Sequence, residues 1–371
     1  MTIRSRAAMA ELLRLTQSGQ LAKATARIQL ALSGMAAPAT SPSSSAAGDI
    51  IDLKPARISL NAREQSPTPA TTTSPKGAPP VDHANRFEER TYKGPEGSLA
   101  YHLYVPADAG NNMPLVVMLH GCTQSPEDFA RGTGMNQLAD EMGFIVVYPR
   151  QSRSANAQQC WNWFRPGDQQ RDRGEPALIA GVTRQVIAEQ GADPDRVYVA
   201  GLSAGGAAAA IMGQTYPDIY AAIGIHSGLA CGSARDLPSA LMAMRNGSSG
   251  TSAVKGAPFV PVITFHGDRD STVHEANSRI IVAAASTASG RSLKTRQETG
   301  KSIQGTYTRE TSVDSEGRIM LEQWTVHGAG HAWSGGHSTG SYTDPSGPDA
   351  SREMLRFFFT HKLARAKSRV G

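Results

Sequence analysis

Only three cysteines, Cys122, Cys160 and Cys231, occur in 371 residues. That is too few for a disulfide scaffold, and they lack the paired spacing of a zinc site. No apolar run reaches the roughly 18 residues of a helical membrane span, so no such span is expected. Blocks of like charge are missing too. The 37 Lys and Arg are scattered among 32 Asp and Glu, and the formal charge of +5 therefore does not read as a nucleic-acid surface. The N-terminus carries no unbroken apolar core, because Arg14, Gln17, Gln20, Lys23 and Arg27 interrupt it. A secretory leader is not expected on that ground, and the compartment stays open. No internal repeat is evident.

What is present falls into three stretches. Over residues 7–32, Leu12, Leu13, Leu15, Leu21, Ile28 and Leu32 recur at spacings compatible with two short helices broken near Ser18 and Gly19. This N-terminal segment, 1–35, reads first as a loosely held amphipathic tail and second as a module that docks on a partner. Residues 36–86 are rich in Ala, Pro, Ser and Thr and bury too little to offset their ordering entropy, which predicts a disordered linker. From Phe87 to about residue 365 the pattern changes to alternation. Strands are predicted over 98–105, 115–119, 144–148, 197–200, 221–225, 260–265 and 319–326, and helices over 135–142, 176–190, 206–216 and 350–363. Short apolar runs separated by helices imply an α/β catalytic domain with a mostly parallel central sheet covered on both faces.

Gly201-Leu202-Ser203-Ala204-Gly205 lies between a predicted strand and a predicted helix. In that context the pattern is a nucleophile elbow: a sharp turn exposes the serine, and small neighbours let strand and helix approach. A serine hydroxyl needs a base, and the base needs an acid to fix its tautomer. Both should follow the serine in chain order, acid first, on loops after later strands. The loop after 260–265 holds two aspartates, Asp268 and Asp270; Asp268, nearer the strand end, reads as a turn brace. The loop after 319–326, His327-Gly328-Ala329-Gly330-His331, favours His331 as the base, since its glycines let an imidazole reach the serine. Backbone amides of Ala204, directly after the serine, and of the His120-Gly121-Cys122 loop are the candidate oxyanion donors. The Cys122 thiol could pair with Cys160, or all three thiols could be free.

Taken together, these residues resemble the poly(3-hydroxybutyrate) depolymerase-like esterases, a branch of the α/β-hydrolases that includes feruloyl and acetyl xylan esterases. The resemblance runs from about residue 101 to 359. It is carried by Leu119-His120-Gly121-Cys122-Thr123-Gln124, Gly134-Met135-Asn136, Val147-Tyr148-Pro149, Cys160-Trp161-Asn162-Trp163-Phe164, Val199-Ala200 with the elbow and Gly206, His226-Ser227-Gly228, His266-Gly267 with Asp270, and Gly330-His331-Ala332-Trp333. It implies an α/β-hydrolase fold, a Ser203–Asp270–His331 triad, and an oxyanion hole from the amides of Cys122 and Ala204. The choice of Asp270 over Asp268 rests on it. It also implies that 160–164 borders the active site, with Trp161, Trp163 and Trp333 as candidate substrate contacts and core packing as the competing role of Trp161 and Trp163. The implied partner is an ester, small or oligomeric, most simply a 3-hydroxyalkanoate oligoester; no cofactor and no metal are implied. The family suggests an extracellular setting. Against polymer-degrading members, neither a leader nor a polymer-binding module after the last helix is recognisable, which moves the expectation toward soluble esters.

Overall fold

The computed structural model describes residues 86–108, 110–248, 259–303 and 305–363. The helix pair expected over 7–32 and the linker before Arg86 lie outside the described residues. The strands of the main sheet are β1 (Phe87–Gly94), β2 (Gly97–Tyr104), β3 (Leu115–Leu119), β4 (Ile145–Pro149), β5 (Val197–Leu202), β6 (Ala222–His226), β7 (Val262–Gly267), β8 (Lys294–Lys301), β9 (Thr306–Val313) and β10 (Ile319–Val326). They pair in the order β1-β2-β4-β3-β5-β6-β7-β10-β9-β8. The six from β4 to β10 run parallel, and antiparallel strands close both edges.

The parallel centre follows from composition. Every residue of β3, β4, β5, β6 and β7 is buried, as continuous apolar strands between two helical layers must be. Side chains alternate across the sheet. Leu115, Val117 and Leu119 join one core with Ile179, Ile211 and Met212, while Val116 and Met118 join the other with Phe129, Leu138 and Met354. The first core lies under α3 (Gly174–Gln190), α4 (Ala204–Thr215), α5 (Leu237–Asn246) and α6 (Ala276–Ser289). The second lies under α1 (Pro126–Thr133), α2 (Met135–Met142) and α7 (Ala350–Phe358). The expected helix over 350–363 is shorter than its apolar pattern suggested: after Phe358 the chain turns, and Leu363 N–H donates to Asp195 O at 2.9 Å.

From β3 the chain crosses outward to β4 and then returns to place β5 on the other side of β3. Loops leaving such neighbours diverge, and the crevice between them is where open parallel sheets bind ligands. Residues 120–124 and Ser203 occupy this switch point. Between β5 and α4, Ser203 has φ 58° and ψ −118°, a left-handed conformation that costs a non-glycine residue about 1–3 kcal/mol. Two backbone bonds hold it there, Ser203 N–H to His226 O and Ala207 N–H to Ser203 O, both 2.9 Å.

The approach of α4 to β3 tolerates no side chain at Gly205, where a Cβ would lie 1.9 Å from Leu119 O and 2.6 Å from His120 O. Both obstructing atoms are main chain. Gly205→Ala should therefore lower stability by at least the ~1–3 kcal/mol typical of overpacking, read as a reduced urea midpoint with an unchanged denaturant slope.

Candidate active site

The carboxyl ends of β5, β7 and β10 deliver the three predicted side chains to one edge of the sheet. Beyond β7 and β10 the two loops meet main chain to main chain. A Cβ on Gly267 would lie 2.3 Å from Ala329 O and 2.7 Å from Gly330 O, and Arg269 N–H donates to Ala329 O at 3.0 Å. That contact puts Asp270 beside His331, with His331 Nδ1 2.7 Å from Asp270 Oδ2.

The Asp270 side chain is fully buried and His331 is 11% exposed. Burial by itself would raise the Asp270 pKa, but His266 and His331 hydrogen bonds, the His331 charge and the Val273 amide hold it well below the usual carboxylate range. Asp270 Oδ1 accepts the N–H groups of Thr272 and Val273 at 2.9 and 2.8 Å. An ionised Oδ2 makes His331 Nδ1 the donor, which leaves Nε2 as the basic nitrogen.

Asp268 has a different partner. Its Oδ2 is 2.9 Å from His327 Nδ1, its Oδ1 accepts Gly328 N–H at 2.7 Å, and His327 Nε2 reaches Thr308 Oγ1 at 2.8 Å. This more exposed pair braces the loop that carries His331, the bracing role that Asp268's nearness to the strand end suggested.

Above β3, the Gly121 amide donates to Gln124 Oε1 at 2.9 Å, while those of Thr123 and Gln124 donate to Gln158 O and Gly121 O. Among the described residues, the Cys122 amide has no hydrogen-bond acceptor. Ala204 N–H opens α4, where no intrahelical acceptor exists and the helix dipole favours negative charge. The loop is close to the serine: a Cβ on Gly121 would lie 3.7 Å from Ser203 Cβ.

His120 and His226 support the site from within. His120 Nδ1 lies 2.8 Å from Gly121 O and its Nε2 accepts Gln151 N–H at 3.1 Å; burial pushes its pKa down to about 4. His226, also lowered by burial, accepts Ser334 N–H at Nε2 (2.9 Å). Its motif was visible in the sequence, but no role could be assigned without these partners. Cys122 and Cys160 form a disulfide and Cys231 is free, which settles the pairing that the sequence left open. The metal-ligand grouping found among the described residues, Glu89, His102 and Glu127, already holds a cation, with Arg150 paired to both carboxylates at 3.4 and 2.5 Å.

Residues 99–295 match the family model Esterase PHB depolymerase. The chain is 31% identical over 298 residues to the Poly(3-hydroxybutyrate) depolymerase of Ralstonia pickettii, covering 74% of this chain and 60% of that one. The chain belongs to the Esterase PHB depolymerase family. It is also 32% identical over 246 residues to Poly(3-hydroxyalkanoate) depolymerase C of Paucimonas lemoignei, covering 63% and 58% of the two chains. It thus spans less than two thirds of the length of these curated relatives. Among solved structures, an acetyl xylan esterase from Aspergillus awamori superposes with a TM-score of 0.58 at 20% identity, covering 74% of this chain and 98% of that one. That likeness shows the α/β-hydrolase fold.

The three tryptophans named from the family resemblance lie in the protein interior. Trp161, Trp163 and Trp333 are core side chains, 0%, 6% and 1% exposed. Trp161 Nε1 donates to His120 O at 3.1 Å and Trp333 Nε1 to Ser351 Oγ at 3.0 Å, while Trp333 stacks on His226 with ring centres 5.1 Å apart. Trp161 and Trp333 thus spend their indole N–H inside the protein and support the walls of the site.

Closing a loop of 38 residues removes chain entropy worth ~4 kcal/mol, so Cys160→Ser should lower the denaturation midpoint by a matching amount in calorimetry. Asp270→Asn should lower kcat on an aryl ester by about 10⁴-fold, because the amide favours the wrong imidazole tautomer. Asp268→Asn should change kcat only a few-fold, and equal losses in the two variants would reverse the assignment.

Proposed function

We propose that this family member is a serine carboxylic ester hydrolase acting through an acyl-enzyme, with Ser203 as nucleophile, His331 as general base and Asp270 as its orienting carboxylate. The observation that carries the reading is the buried Asp270–His331 hydrogen bond of 2.7 Å on the same sheet edge as a serine held at φ 58°. Hydrogen bonds of the described residues do not include Ser203 Oγ to His331 Nε2. Such bonds are often long before substrate binds and tighten in the complex.

In the proposed cycle, Ser203 Oγ attacks the ester carbonyl while its proton passes to His331 Nε2. The carbonyl oxygen takes up negative charge against the Cys122 and Ala204 amides, each such donor being worth ~2.7–4 kcal/mol of barrier. His331 then protonates the departing alcohol, and water repeats the sequence on the acyl-serine. Asp270, kept ionised, offsets the positive charge on the imidazole throughout.

As substrate class we propose 3-hydroxyalkanoate oligoesters, 3-hydroxybutyrate among them, in keeping with the two depolymerases to which the chain is similar. Feruloyl and acetyl esters of plant polysaccharide are the competing substrates. The Cys122–Cys160 bond supports work in an oxidising compartment, where disulfides persist.

Ser203→Ala should abolish hydrolysis of a short aryl ester, by a factor on the order of 10⁴ or more, with an unchanged melting temperature. Turnover that survives the substitution defeats the triad, and a wild-type protein silent toward every ester would mark a binding protein on this fold. Relative kcat/KM across 3-hydroxybutyrate oligomers, feruloyl esters and acetylated xylan decides the substrate class, oligomers being expected to rank first.

A further inference from the structure

Glu175, at the start of α3, is a partly buried carboxylate that the proposed chemistry leaves unused. Three donors converge on it. Gln151 Nε2 and Asn162 Nδ2 donate to Oε1 at 2.5 and 2.6 Å, and Asn162 N–H donates to Oε2 at 2.7 Å. Both partners belong to the segment that backs the oxyanion loop. The Gln151 side chain also donates to Cys160 O at 3.0 Å, its backbone N–H donates to His120 Nε2 at 3.1 Å, and Trp161 Nε1 donates to His120 O at 3.1 Å. Cys160 is in turn bonded to Cys122. A single carboxylate thus anchors both routes into residues 120–122, one through His120 and one through the disulfide.

We propose that Glu175 is a positioning residue for the oxyanion loop: its carboxylate fixes Gln151 and Asn162, and through them aims the Cys122 amide at the tetrahedral intermediate. This rests on the reading of Ser203 and Cys122 given above. The donor arithmetic supports it. A carboxylate can accept all three bonds, whereas glutamine at the same place would turn an amide N–H toward donors and leave at least one unpaired.

The surroundings add a pH dependence. Of the residues lining the small cavity beside Glu175, Asp168 is the other ionisable one, and the remainder, including Trp163, Ile179, Ala208 and Met212, are apolar. Asp168 Oδ1 accepts the Glu175 N–H at 2.9 Å. The loop partners Gln151 and Asn162 are neutral. Burial first, and then the Asp168 charge, push the Glu175 pKa up to about 7. The anchor is accordingly an anion above neutrality and a weaker, protonated acceptor below it.

The test compares purified wild type, Glu175→Gln and Ser203→Ala on a short aryl ester at pH 6 and pH 8, with binding of an arylboronic acid as a probe of the tetrahedral state. Loss of a whole oxyanion donor costs about 10²–10³ in kcat, and a misaimed one should cost less. At pH 8, Glu175→Gln should lower kcat about tenfold with KM within twofold and weaken the boronate by a similar factor. At pH 6 the wild-type to variant ratio should shrink toward one, because the wild-type anchor is then neutral as well. That ratio cancels the titration of the base common to both proteins. A variant that melts earlier yet keeps its kcat, or a ratio equal at both pH values, overturns the proposal. If Glu175→Gln does not fold, Gln151→Ala cuts the same link from the loop side and should show the same loss in kcat; unchanged kcat there also overturns it. Ser203→Ala separates the two failures. Turnover surviving in that variant removes the site itself, whereas a silent Ser203→Ala beside an unaffected Glu175→Gln removes only the role of Glu175.

Discussion

The site depends on how closely the start of α4 is pressed against the end of β3. With no side chain at Gly205, the carbonyls of Leu119 and His120 come against the helix N-terminus, and a single contact sets two things together. It fixes the turn in which Ser203 is held at positive φ, and it sets the loop bearing Cys122 beside the first amide of the helix. The proposed nucleophile and the donors proposed to receive the charge it creates are therefore positioned by the same packing. A local strain of about 1–3 kcal/mol persists because both flanking elements are buried in the sheet and cannot relax separately.

Much of the scaffold was legible in the sequence because the buried parallel strands are mostly apolar runs. The predicted run 115–119 is β3, and residues 135–142 form α2 within the bounds read from their periodicity. Elements without a clear sequence pattern have little buried surface. β8 is an edge strand of sequence KTRQETGK with no buried residue, held by its ladder to β9, and its charges discourage pairing with another sheet. α6 buries only Asn277, Ser278 and Ile281, too narrow a stripe to register as a helical period. α1 is short, and the residues after its helix-start signal, Ser125 and Pro126, are largely polar.

Within the site, legibility followed chain order and failed where two residues of one type shared a loop. Asp268 and Asp270 are separated only by Arg269, and no periodicity distinguishes which one faces inward. The fold makes two Asp–His pairs of unequal kind. Asp268–His327 is about a third exposed on each side, whereas Asp270–His331 has a carboxylate that is fully buried. An exposed pair in high dielectric does little beyond bracing. A buried one couples charge strongly, as the proposed general base requires of its partner. The tryptophans pose the complementary problem: an aromatic next to a catalytic motif looks the same in sequence whether it faces substrate or supports the wall.

Strand ends pose a further problem, because carbonyls and amides that leave the ladder inside the protein need hydrogen-bond partners. Imidazole meets it. His120 follows β3, His226 ends β6, and His266 lies near the end of β7, each holding main-chain groups of a neighbouring loop: Gly121 O and Gln151 N–H, Ser334 N–H, and Val273 O. A neutral ring offers one donor and one acceptor at opposite sides, so it can join two loops that a hydroxyl would be too short to bridge. Burial keeps His120 and His226 neutral, which preserves the acceptor nitrogens that Gln151 and Ser334 require. Loops from several strand ends are thereby joined beside Ser203 by imidazole rings, while Asp270 is the carboxylate that the proposed reaction needs ionised.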